Sequence, residues 1–165
     1  MRVLVQRVRQ GWVEWDETST PPIGVGLVAL VGFCRGDTPR MLAPMARKMV
    51  ELRIFPDETG RMNRSLGDLN LSGEGGGLVL VPQFTLYADC RKGRRPGFFD
   101  SLEPGAASGL FDRFAAACRE MCPRVEAGKF GADMRVHLTN DGPVTIWLDS
   151  RELGLDEPAG SEGPA

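Results

Sequence analysis

Two apolar rhythms run along this chain. Over Arg2 to Arg9 the apolar positions Val3 and Val5 lead into polar Gln6 and Arg7, as in a strand with one buried face. Gly11 reads as a break, and Trp12 to Trp15 as a second short strand beyond it. Pro21-Pro22 marks a turn, and Gly24 to Phe33 is a continuous Val- and Leu-rich run, the pattern of a strand buried on both faces. The rhythm then changes. Met41, Leu42, Met45, Met49 and Leu52 recur at helical spacing, predicting a helix over 39 to about 51 that Asp37 or Thr38 caps and Pro39 opens.

Arg53 to Pro56 predicts a short strand, Asp57 to Gly60 a turn, and the Gly-rich stretch 66 to 77 a surface loop. Leu78 to Val81 is a buried-strand signal that Pro82 must end, bulge or place at an edge, because proline donates nothing to a ladder. Leu110, Phe111, Phe114, Cys118 and Met121 form one stripe of a second amphipathic helix over 104 to 122. Met134, Val136 and Leu138 alternate with Arg135, His137 and Thr139 in a half-buried strand, and Val144 to Leu148 predicts another after Gly142-Pro143. The expected architecture is α/β, α+β-like in character: a single domain over 1–150, with mixed β-sheets and two main helices. Residues 151–165 read as a disordered C-terminal tail of Gly, Pro, Glu and Ser.

Composition narrows the function classes. The chain has 165 residues, enough for one packed core, and a formal net charge of −2. Whole-molecule attraction to nucleic acid is therefore not expected, and any RNA contact must come from a local basic patch. DNA and membranes are not expected partners: no apolar run reaches the length of a membrane span, and no signal-peptide core opens the chain, so the expected location is cytoplasmic. Cys34, Cys90, Cys118 and Cys122 form no CxxC pair, and with the single His137 they make a poor zinc set. No metal or cofactor is expected, and reduced, mostly buried thiols are the better reading.

Three segments carry candidate chemistry. In Gln83-Phe84-Thr85, the backbone N–H groups of Phe84 and Thr85 stand at an irregular strand end, where they are free to face a developing oxyanion. An ordinary strand terminus explains the same residues. Thr85 has no base beside it, so covalent catalysis is not assigned to it. Gly142-Pro143 is by itself a turn; Asn140 and Thr145 flank it and are placed to hold its backbone. Arg91, Lys92, Arg94 and Arg95 lie on a Gly/Pro-broken loop, the strongest phosphate-contact candidate, although a solvated basic loop would look the same. Arg53, Arg61 and Arg64 are candidates to extend that patch. Trp12, Trp15, Phe98 and Phe99 suit base stacking, the core or a subunit contact.

These segments, with Val5-Gln6-Arg7-Val8, Arg53-Ile54-Phe55, Met62-Asn63 and Gly128 to Met134, resemble the D-aminoacyl-tRNA deacylases from Met1 to about Ser150. The resemblance implies a deacylase-type fold and a homodimer with active sites at the subunit interface. It implies a hydrolase that frees D-amino acids from tRNA while rejecting L-aminoacyl-tRNA, a proofreading activity; glycine, with no side chain to reject, makes glycyl-tRNA a further candidate substrate. It assigns Gln83, Phe84 and Thr85 to the scissile ester. It assigns a cis Gly142-Pro143, oriented by Arg7, to the partner's pocket, and Phe130 and Met134 to the terminal adenosine. One position departs: the family's first motif usually begins with Ser where this chain has Pro82, which puts chiral strictness in question. Two other classes compete, a non-catalytic tRNA-binding dimer and a Cys/His hydrolase using His137 with Cys34 or Cys90.

Overall fold

The computed structural model describes residues 1–156. One mixed sheet organises it. Its strands are β1 (Arg2–Trp15), β2 (Thr18–Ser19), β3 (Gly26–Gly32), β6 (Gly77–Pro82), β7 (Val125–Ala127) and β8 (Met134–Asp149). The order is β2-β1-β3-β6-β7, with β8 antiparallel along β1; β3, β6 and β7 run parallel to one another. The helices are α1 (Leu42–Val50), α2 (Leu66–Leu71) and α3 (Pro104–Arg119), and β4 (Phe55–Pro56) and β5 (Met62–Arg64) form a small hairpin.

Each face of the sheet has its own core. On one face Val3, Val5, Leu27, Ala29, Val31, Leu78 and Leu80 meet Met45 and Met49 of α1 and Phe111 and Phe114 of α3. On the other, Val8, Val13, Ile23, Val28, Val79 and Val81 form a smaller cluster that Trp15, Leu30, Met134 and Leu138 cover. Of the Gly24–Phe33 run expected to be buried on both faces, the strand Gly26–Gly32 lies inside the sheet with a cluster on each side, whereas Gly24 and Val25 are exposed.

Three expected elements differ. Gly11 does not break the first strand: it pairs with Leu138 in an unbroken β1, and a Cβ there would lie 2.7 Å from Val28 Cγ2. The glycine serves a close approach rather than a turn. Likewise, Gly142-Pro143 does not divide the last strand, since pairing with β1 resumes on both sides of it. The stretch 66–77 is not all loop: Ser65 and Asp68 close a reciprocal capping box at the start of α2, and Leu66 and Leu69 point into the core. Three α-helices therefore replace the two expected.

Residues 39–41 form a 3₁₀ turn opened by Pro39, with α1 following at once. Thr38 holds the cap position without a side-chain bond, and the Asp37 carboxylate instead accepts from the Cys34 N–H at 2.8 Å. At the far end, residues 151–156 make turns, with Leu153 and Leu155 partly buried against the core. The remainder of the expected tail lies outside the described residues.

Candidate active site

The β6 strand delivers Gln83 to Thr85 to the surface. Pro82 is its last residue, opposite Val31, and the Gln83 N–H still donates to the Val31 carbonyl at 2.7 Å. Thus a proline at this position ends the strand without leaving the ladder unpaired. The chain then tightens into a 3₁₀ turn, Phe84–Tyr87, rather than an irregular strand end. That turn is held from several sides. Arg2 Nη1 donates to the Leu86 carbonyl at 2.8 Å, the Ala88 N–H to Thr85 at 3.0 Å, and Ser101 Oγ to Phe84 at 3.4 Å. The Phe84 and Thr85 N–H groups begin the turn, where no preceding turn supplies acceptors, and neither bonds an acceptor among the described residues. Gln83 Nε2 donates to Thr85 Oγ1, so that hydroxyl is engaged by an amide and not by a base.

Beside the turn lies a cleft of about 280 Å³, lined by Pro82, Gln83, Phe84, Phe130, Met134 and Val136 among others. The structure therefore brings the first motif together with Phe130 and Met134, residues some fifty positions away. Two contacts make this possible. The Gly128 N–H donates to the Leu80 carbonyl at 2.8 Å, tying the β7–β8 loop to β6. A Cβ on Gly128 would stand 2.8 Å from Met134 Sδ, so any larger residue there would move the methionine side chain. A larger surface hollow of about 720 Å³ is lined by Asp57, Glu58, Asp68, Glu74 and Arg64 among others. It holds none of the expected site residues, and its acidic walls would repel a phosphorylated ligand.

Gly142-Pro143 sits elsewhere. Val8 pairs with Asn140 and Gln6 with Thr145, so Asp141 to Val144 stand opposite Arg7 alone. The excess residues leave the ladder as a bulge, the Gly142-Pro143 bond is cis, and both residues are exposed. Side chains grip the base of the bulge. Asn140 Nδ2 donates to the Arg7 carbonyl at 2.9 Å and to the Val144 carbonyl at 3.0 Å. Arg7 Nε donates to the Asp141 carbonyl at 3.1 Å, its Nη1 to the Ile54 carbonyl, and its Nε lies 3.3 Å from Asp141 Oδ2. Thr145 takes no part in that hold, since its hydroxyl accepts from Gln6 at 3.4 Å. From Met134 to Asn140, six steps correspond to about 20 Å of strand. Gly142-Pro143 is not among the residues lining its own chain's cleft.

The basic loop starts at Asp89, whose backbone pairs with Gly97 in both directions, at 2.7 and 2.9 Å. Asp89 also clasps Arg91, each of its carboxylate oxygens taking a guanidinium nitrogen at 2.8 Å. Those bonds from Arg91 hold the Asp89 carboxyl down at about 2. Arg91 is thereby partly neutralised, and the free positive charge of the loop falls to Lys92, Arg94 and Arg95. Arg64 does not extend this patch: it bonds Glu74 and Ser72 and lines the acidic hollow, while Arg53 bonds Asn63.

The Cys/His arrangement has no geometric support. Cys34 is buried with Asp37 and Arg151 around its sulfur, and burial raises its pKa. Burial also pushes Cys118 up to about 12. His137 instead stacks on Trp12, ring centroids 4.6 Å apart. Its Nε2 lies 3.2 Å from Glu14 Oε2, an ion pair when the ring is protonated. Among the described residues no group of three or more His, Cys, Asp and Glu is placed to hold a metal.

Sequence reasoning named most of these residues but missed Arg2 and the partner of Phe98. Arg2 lies 84 positions before Leu86, whose carbonyl it holds, and no local pattern announces that contact. Phe98 was visible as an aromatic, yet its partner was not: its ring meets that of Phe84 edge-on, centroids 4.9 Å apart.

Comparison with known proteins places the fold and the family. The family profile described as D-Tyr-tRNA(Tyr) deacylase matches residues 4–149. The D-aminoacyl-tRNA deacylase of Teredinibacter turnerae is 51% identical over 150 residues, covering 91% of this chain and 100% of the relative. That of Thermomicrobium roseum is 52% identical over 153 residues, 93% and 96% of the two chains. A solved structure named c-Myc DNA Unwinding Element Binding Protein superposes with a TM-score of 0.82 at 36% identity, over 91% of this chain and 99% of that one. A probable eukaryotic D-amino acid tRNA deacylase, 19% identical with a TM-score of 0.76 over 89% and 97%, shares the fold. On the strength of a match that spans nearly every described residue, this chain belongs to the D-Tyr-tRNA(Tyr) deacylase family.

Proposed function

We propose that this protein hydrolyses the ester between a D-amino acid and the 3′ end of tRNA, accepts glycyl-tRNA as well, and rejects L-aminoacyl-tRNA. The observation that carries the reading is the separation just described. One chain presents an open cleft beside unpaired N–H donors, and outside that cleft's lining an exposed Gly142-Pro143 whose bulge is held at its base by Asn140. A homodimer completes both, each subunit's dipeptide reaching the other's cleft.

In this mechanism the terminal adenosine enters the cleft between Phe130 and Met134, and the ester carbonyl lies against the Phe84 and Thr85 N–H groups. Those donors stabilise the tetrahedral oxyanion. Water attacks the carbonyl carbon, the bond to the ribose oxygen breaks, and the free amino acid and tRNA leave. The ribose 2′-hydroxyl orients that water, so no protein base is needed and positioning supplies much of the rate. The carbonyls of Gly142 and Pro143 accept hydrogen bonds from the substrate ammonium and fill the space an L side chain needs. A D side chain points outward, and glycine has nothing to exclude. Lys92, Arg94 and Arg95, with Arg91, contact tRNA phosphates.

No helix among the described residues is long and apolar enough to cross a membrane, and we place the enzyme in the cytoplasm with aminoacyl-tRNA rather than DNA as its partner. A second reading keeps the reaction but relaxes its chirality, because Pro82 lines the cleft where a serine would offer a hydroxyl and an N–H. The test is release of free amino acid from matched D- and L-aminoacyl-tRNA by the purified protein. Turnover of the D ester with appreciable residual activity in Thr85→Ala is expected. An ester that the protein merely protects, or an acyl-Thr85 adduct, defeats the proposal, and equal rates on D and L esters select the relaxed form.

A further inference from the structure

Phe84 lines the cleft and opens the turn that carries the two unpaired N–H groups, yet the residue is 55% exposed. A ring that open is ordinarily free to change rotamer, and its backbone to swing with it. Here the segment after the basic loop restrains it twice. Phe98 meets the ring edge-on at 4.9 Å with an interplanar angle of 65°, and Ser101 Oγ donates to the Phe84 carbonyl at 3.4 Å. The segment itself is anchored at both ends. Gly97 pairs with Asp89, and at the other end Asp100 accepts from Arg35 at 3.0 Å while the Leu102 N–H donates to Phe33 at 3.0 Å. The Phe84 carbonyl shares its peptide plane with the Thr85 N–H, so the bond from Ser101 restrains that donor, while the ring contact restrains the Cα from which the Phe84 N–H is hung.

Resting on the deacylase reading above, we propose that Phe98 is a positioning residue for the reaction: its ring fixes Phe84 and so aims the Phe84 and Thr85 N–H groups at the ester carbonyl. An edge-to-face contact of this kind accounts for a rate effect of roughly 3- to 10-fold. Because the donors act on the oxyanion and not on tRNA, the effect belongs in kcat and not in binding.

The experiment compares the wild-type protein with Phe98→Ala, Phe98→Leu and Phe98→Tyr on D-aminoacyl-tRNA, and measures the Kd of each for deacylated tRNA. Expected are kcat values about 3- to 10-fold lower for the Ala and Leu variants. KM and Kd should stay within about twofold, with recovery in the Tyr variant, which keeps the ring. The leucine variant retains bulk, so a shared loss in Ala and Leu separates the aromatic contact from a packing defect. Unchanged kcat in both, or a loss confined to KM and Kd, overturns the role of Phe98 and leaves the deacylase reading standing. A wild-type protein that releases no amino acid overturns both.

Discussion

Replacing Asn140 with aspartate changes one amide to a carboxylate and almost nothing in shape. In the native bulge Asn140 Nδ2 donates to two carbonyls, those of Arg7 at 2.9 Å and Val144 at 3.0 Å. Asn140→Asp removes both donors and sets acceptor against acceptor. At about 1 kcal/mol net for each lost bond, the change costs about 2 kcal/mol, or a roughly 30-fold shift from the held bulge toward a released one. The nearby Asp141 carboxylate, already 2.9 Å from Arg9 and 3.3 Å from Arg7, adds like-charge repulsion to that figure. Urea unfolding at neutral pH should show the stability loss, and the ratio of kcat/KM on D- to L-aminoacyl-tRNA should fall as the dipeptide loosens. Acidifying the buffer protonates the introduced carboxyl, returns one donor, and should recover part of the stability. An Asn140→Asp protein with native urea midpoint and native D:L ratio would refute the claim that this side chain holds the filter.

Two further outcomes follow from the same geometry. Gly142 has φ +122°, and a Cβ there would stand 2.8 Å from Val144 Cγ2 and 3.0 Å from Arg7 Nη2. Gly142→Ala should therefore cost about 1–3 kcal/mol in urea unfolding and raise hydrolysis of the L ester, while a fully stable and still selective variant contradicts the account. Asp89 titrates at about 2 in the folded chain against 3.8 for an ordinary aspartate, through its bonds from Arg91. Its folded pKa is the lower one, so the stabilisation is fully present above about pH 4 and disappears as the pH falls toward 2. The thermal midpoints of wild type and Asp89→Asn should converge across that window, and a constant gap would show that the Asp89–Arg91 clasp contributes nothing.

Much of the fold was legible because burial leaves a period. The apolar stripes of α1 and α3 and the continuous runs of β3 and β6 appear where the residues predict them. What misled was punctuation. Gly11 and Gly142-Pro143 carry the signature of chain breaks, yet each lies within a long strand whose pairing partner, not its own composition, keeps it extended. In α2 the opposite happened: glycines suggested a loop, although Ser65 and Asp68 spelled out a helix start three residues apart. For the site, short motifs named the backbone-presenting segments. They could not show that Arg2 supports the turn, that Asp89 ties up Arg91, or that Asn140 bridges two carbonyls, because those relations are long-range or depend on which neighbour a flexible side chain selects.

The bulge on β8 also bears on how such a protein can change over time. Gln6 meets Thr145 on one side and Val8 meets Asn140 on the other, so pairing resumes on both sides of the four residues that leave the ladder, with a second register shift between Val8 and Gln10. The alternation of inward and outward side chains beyond the bulge is set by the flanking pairs rather than by the exposed tip. On the proposed reading, substrate choice can drift at the exposed Gly142-Pro143 tip, whereas Val144 packs against the core and is selected with the scaffold.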